Sequence, residues 1–283
     1  MDLRVWSNRA ITFLVVAVLS GLLLTLFPFY PLYITIVLAL VLGGLAIEFP
    51  SLSLPIAVLL SVIGALYQNA YIGLTYLVVF VLFVALGQTW VELALLSATW
   101  VLVFSPLPPL AIIPTVIAGL HSGRQTAVKI GLLSSITVFL LAWAMGMMKA
   151  GFFMIASPAS VYVPKPIPEP WHFDAFLPNL GALLSPQIGS YFAPLGPAIG
   201  DFRLYVIVAA WAVGGYLIAL LVPRFRKLWY LPASIVGVLP LLIVSFIFTG
   251  ISPIDMGIAL VGVVVVTVAY KYMQSVIDRK SVV

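Results

Sequence analysis

The chain is 283 residues long, 64% hydrophobic and only 7% charged, with a formal net charge of +5. Soluble domains carry roughly 25% charged residues, so this composition excludes a water-soluble globule and makes lipid the solvent. The basic residues are spread over segment ends rather than clustered, which argues against a nucleic-acid partner. The absence of cysteine removes disulfides, thiolate metal sites and a cysteine nucleophile.

In chain order, the first apolar run is 10–26, after Arg4 and Arg9. It has the basic start and apolar core of a signal peptide. No small-residue cleavage site precedes Phe27-Pro28-Phe29, so a retained first span is expected. Further apolar runs cover 31–47, 52–67, 70–87, 89–104, 108–120, 126–147, 204–222, 228–249 and 254–272. A full span needs roughly 20 residues. Several runs are shorter, and 108–120 is the weakest, because Pro108, Pro109 and Pro114 interrupt it. Taken alone, it fits a re-entrant segment.

Charge placement favours ten crossings with both termini cytoplasmic, in the cell membrane. Arg4, Arg9, Arg124, Lys129, Arg224, Arg226, Lys227, Lys271, Arg279 and Lys280 then fall inside, and only Lys149, Lys165 and Arg203 outside. Trp6, Trp90, Trp171 and Trp229 sit near expected interfaces. Connectors such as Gln68-Asn69 are so short that consecutive spans must be antiparallel neighbours. The fold class expected is an all-α, polytopic integral membrane bundle of about ten transmembrane helices. Residues 1–150 form a seven-span bundle, 151–203 an extracytoplasmic cap, and 204–283 a three-span segment. No internal repeat of the kind found in many transporters is visible.

The cap carries nine of the 21 prolines: Pro158, Pro164, Pro166, Pro168, Pro170, Pro178, Pro186, Pro194 and Pro197. Proline at that density breaks any spanning helix, and the alternation in 163–170 favours an extended strap. The rest of the cap stays apolar through Phe173, Phe176, Leu180 and Tyr191. A solvated linker would be charged or Gly/Ser-rich, so one or two short helices broken at Pro178, Pro186 and Pro194 are expected on the membrane surface. Few Asn residues and abundant Val, Ile and Leu suit a thermophilic source.

Gly123, Ala127, Gly131 and Ser135 recur every four residues, a small-residue stripe that lets helix backbones approach in lipid, within the bundle or between subunits. Ala210 with Gly214, and Gly215 with Ala219, repeat the pattern. All eight acidic residues lie in loops or near span ends. An ion-coupled carrier places a titratable group at mid-depth, so this absence weakens that reading. Glu48, Glu92, His121, Arg124 and Lys129 gather on the cytoplasmic side, as ion-paired anchors or a polar dock for a partner. Glu169, His172 and Asp174 mark a possible outer polar site, with little weight for a metal. His121 and His172 fall on opposite sides, against bis-histidine haem ligation. No nucleophile elbow, Walker or dinucleotide pattern is present, and neither a cofactor nor a metal is expected.

The function that follows is a non-catalytic membrane subunit that anchors or completes a larger assembly, with the bilayer and other membrane subunits as partners. The alternative is a permease or capture component for a small apolar or amphipathic solute, with the cap as lid and Tyr67, Asn69, Trp100 or Trp211 lining a pocket. A lipid-acting enzyme using Glu169, His172 or Asp174 ranks third.

Overall fold

A computed structural model describes residues 3–87, 89–105, 107–144, 164–183, 188–193, 195–225, 229–249 and 252–280. Every described regular element is helical. The helices are α1 (Leu3–Leu26), α2 (Leu32–Ala46), α3 (Pro50–Gln68), α4 (Ala70–Leu86), α5 (Trp90–Val103), α6 (Ile113–His121) and α7 (Arg124–Ala144). After them come the short α8 (Leu177–Ala182), α9 (Ile188–Phe192) and α10 (Leu195–Gly200). The long α11 (Phe202–Leu221), α12 (Leu231–Thr249) and α13 (Pro253–Lys280) close the chain.

A helix stands at each of the ten apolar runs, but the helices are not equal in length. Six stretches are long and apolar enough to cross a membrane: Asn8–Leu26, Pro50–Gln68, Arg124–Leu141, Phe202–Leu221, Leu231–Phe248 and Pro253–Ser275. The chain therefore has the make-up of a multi-pass membrane protein. Four of the expected spans are shorter. Their caps explain why. Asn69 ends α3 and starts α4 by accepting the Tyr71 N–H, and Gly87 stops α4 after 17 residues. Thr89 caps α5 through the Glu92 N–H, and that helix runs 14 residues. At 15 residues, α2 extends only about 22 Å. The weak sixth run is one continuous helical piece, a 3-10 turn over Pro108–Ile112 leading directly into α6. Pro114 sits in the first turn of α6, where a missing N–H costs nothing.

The helices pack around two joined cores. One gathers α1 to α5 with α7, centred on fully buried Trp100, whose ring meets Tyr76 and Phe83 at centroid distances of 5.8 and 5.1 Å. The other gathers α6, α11, α12 and α13 around Val116, Ile207, Trp211 and Val263. α7 belongs to both, so the C-terminal helices interlock with the N-terminal bundle along the α7–α11 contact.

Candidate functional site

The antiparallel order divides the chemistry between two ends of the bundle. At one end lie the α1–α2 and α3–α4 turns and the cap. Fully buried Phe29 is its hub, with ring centroids 4.9 Å from Tyr30, 5.4 Å from Tyr67, 6.1 Å from Trp171 and 6.4 Å from Phe176. The Trp171 indole donates to the Phe29 carbonyl at 2.9 Å. Buried Gln68 accepts the Lys165 N–H at 2.5 Å and donates to the Pro28 carbonyl at 2.7 Å and the Lys165 carbonyl at 3.2 Å. Tyr67 donates to the Pro166 carbonyl at 2.8 Å. Asn179 on α8 donates to the carbonyls of Leu66 and Tyr67, both at 2.8 Å. Further along, Tyr191 stacks on Tyr71 at 4.2 Å, with Trp143 at 4.9 Å. These contacts close backbone groups that helix ends and turns leave unpaired.

The cap differs from expectation in its prolines. Its described residues hold three short helices and a 3-10 turn over Phe173–Phe176, and Pro178 starts α8 instead of breaking a helix. A proline's fixed φ suits a first turn. Pro186 and Pro194 lie outside the described residues. Only part of the apolar cap surface is buried: Phe173, Leu177 and Leu180 stay 51%, 49% and 42% exposed. Glu169, His172 and Asp174 are exposed, and the His172 Nδ1 lies 2.8 Å from the Pro170 carbonyl. Among the described residues no three His, Asp or Glu side chains converge as a metal-holding group.

The opposite end carries the cytoplasmic-side candidates, but not as one cluster. Lys129 donates to Glu92 at 2.8 Å, with the Glu92 side chain only 7% exposed. Arg9 pairs with Glu48 at 3.2 Å on an exposed surface. His121 lies 3.4 Å from the Tyr270 hydroxyl, which donates to the Leu120 carbonyl and accepts from Gln274. Gln274 in turn accepts from Tyr230, whose ring lies under the Lys271 ammonium at 5.1 Å. Trp229 and Tyr230 both take positive φ, 58° and 61°. That conformation is unusual for bulky residues, and here it turns the chain into α12 with the Tyr230 ring buried.

The small-residue stripe divides likewise. A Cβ on Gly131 would lie 2.6 Å from the Trp211 carbonyl oxygen. One on Gly215 would lie 2.6 Å from the Ala127 oxygen, and one on Gly214 2.8 Å from the Gly237 oxygen. Ala127, Gly131 and Ser135 on α7, and Ala210 and Gly214 on α11, are buried. Gly123 is the exception. Its φ of +83° and open surroundings make it the turn glycine before α7, with no packing partner in contact range. A four-residue spacing read from the sequence does not distinguish a helix face from the residue just outside the helix.

Between the ends, the buried polar groups are neutral, and several of them meet in pairs. The hydroxyls of Ser61 and Tyr76 are 3.0 Å apart, those of Thr99 and Ser134 3.1 Å, and those of Thr267 and Ser234 2.9 Å. The Trp100 indole donates to Thr137 at 2.9 Å. Among the described residues, the four expected to line a solute pocket are engaged separately. Trp100 is fully buried on Thr137, Asn69 caps α4, Tyr67 holds the strap, and Trp211 borders a void of about 10 Å³ between α6, α11 and α12.

Sequence reading missed Phe29, Gln68 and Asn179. Gln68-Asn69 is an amide pair between two apolar runs, and that was the available signal. No protein-family model matches the chain, and no curated protein or solved structure matches it.

Proposed function

We propose that this chain is a non-catalytic integral-membrane subunit that anchors or completes a larger membrane assembly. In this reading it crosses the cell membrane ten times, with both termini cytoplasmic and the cap outside. The observation that carries the reading is the interior. Among the described residues every charged side chain lies near the end of an apolar helical stretch, beyond it, in a turn or on the cap, and Glu92, the most enclosed, is neutralised by Lys129. Ion- or proton-coupled transport uses titratable groups at mid-depth. Here the interior polar groups are neutral: several hydroxyls and an indole pair with one another, and other buried side chains of this kind, at Ser20, Thr75, Ser97 and Thr115, are hydroxyls too. That arrangement rigidifies a bundle and moves no charge.

Purification of the native chain in mild detergent tests the reading. Stoichiometric co-purifying membrane chains support it. A monodisperse monomer that by itself moves a solute into proteoliposomes overturns it in favour of the permease.

A further inference from the structure

At the end opposite the cap, a groove of about 600 Å³ opens between the C-terminal end of α4, the first half of α7 and α11. Leu86, Val128, Leu132, Ile136 and Tyr216 form its walls. Leu86, Ile136 and Tyr216 remain 40%, 36% and 39% exposed, so the groove is open along its side. From Arg124 to Ile136 it follows α7 for about 18 Å. Its lining is apolar nearly throughout, yet Arg124, Gln125 and Lys129 also border it, at the start of α7. Long basic side chains of this kind bury their stems and lift their charge to the interface.

The charges there are unequal. Lys129 is matched by Glu92 at 2.8 Å, and both belong to the groove's surroundings. Arg124 is exposed, and no acidic group within ion-pair distance of it is found among the described residues. An apolar furrow as long as part of an acyl chain, ending at a guanidinium, complements a molecule with a hydrocarbon tail and an anionic head. A guanidinium binds phosphate oxygens in bidentate fashion.

We propose that this groove holds one anionic phospholipid, its acyl chain against Val128, Leu132 and Ile136 and its phosphate on Arg124. The site is independent of whether the chain has partner subunits. It needs only that α7 lies in a bilayer, with the Arg124 end at the headgroup level.

Native mass spectrometry of the full chain, delipidated and then titrated with phosphatidylglycerol or phosphatidylcholine, tests it. The expected result is one retained phosphatidylglycerol, at least tenfold favoured over phosphatidylcholine. Arg124→Gln should abolish that preference, Arg124→Lys should restore part of it, and Val128→Trp should block retention of both lipids. If Val128→Trp does not fold, Ile136→Trp on the exposed wall replaces it. Glycerol phosphate without acyl chains should not displace the lipid. Equal retention of the two lipids, an unchanged preference in Arg124→Gln, displacement by glycerol phosphate, or a dimer that fills the groove with a second copy would each overturn the proposal.

Discussion

Gln68 grips the backbone of Lys165 from both sides, accepting its N–H at 2.5 Å and donating to its carbonyl at 3.2 Å. The side-chain amide thus pairs with the N–H and the carbonyl of one residue, as a residue on a neighbouring strand would, across 97 positions of sequence. Replacing it removes both bonds and leaves the Pro28 carbonyl without its donor. Hydrogen bonds of this kind contribute about 1 kcal/mol each. Gln68→Leu should therefore favour release of the strap by about 2 kcal/mol, roughly thirtyfold. Limited proteolysis within 164–183 should accelerate accordingly, while the melting temperature of the bundle changes little.

Buried Glu92 and half-buried Lys129 predict a different pattern. Removing Lys129 takes away the positive charge that faces the buried Glu92 carboxylate, and loss of one member of such a pair costs up to about 3 kcal/mol. Lys129→Met alone should lower the melting temperature in detergent more than the double variant Glu92→Leu/Lys129→Met. Equal losses would mean that the pair is effectively solvated.

The α7–α11 contact makes glycine a steric requirement at Gly131 and Gly215, where an added Cβ would lie 2.6 Å from backbone oxygen. Gly131→Ala should destabilise by about 1–3 kcal/mol through overpacking. Gly257→Ala is the control, because nothing lies within 4 Å of a Cβ there, and helix propensity predicts a gain of about 1 kcal/mol or less. Thermal unfolding of the two variants should move in opposite directions.

Much of this architecture was legible in the sequence because lipid enforces it. Uninterrupted apolar runs must satisfy their backbone groups internally, and a helix stands at every such run. Helix length was less legible, since α4 and α5 are trimmed by caps at Asn69, Gly87 and Thr89. The cap's docking was illegible for another reason. The contacts of Trp171 with Phe29 and of Asn179 with Leu66 join residues more than a hundred positions apart, and no local periodicity encodes them. Ion pairing on the basic side was anticipated, but the choice of partners, Arg9 with Glu48 and Lys129 with Glu92, depends on which helices touch.

Alkaline pH should loosen the capped end. Tyr30, in the α1–α2 turn, donates to the Leu60 carbonyl at 3.0 Å, and burial pushes its hydroxyl above the ordinary tyrosine value near 10. Burial raises Tyr191 on α9 in the same direction. A raised folded value means the contribution is fully present below about pH 10 and is lost as the pH climbs from there toward the folded value. The melting temperature should hold up to pH 9 and fall by pH 11. Tyr30→Phe should show a smaller alkaline fall, because its ring cannot ionise. An identical fall in wild type and Tyr30→Phe would remove Tyr30 from the account.

The most direct measurement uses the absence of cysteine. Single cysteines at exposed Gly181 on the cap and exposed Arg224 in the α11–α12 turn would each be the only thiol in the chain. In intact cells, a membrane-impermeant maleimide should label Gly181→Cys at once and reach Arg224→Cys only after permeabilisation. Labelling of both positions from one side, or of Arg224→Cys alone from outside, would contradict a bundle that carries its cap on the outer face and its basic residues on the inner one.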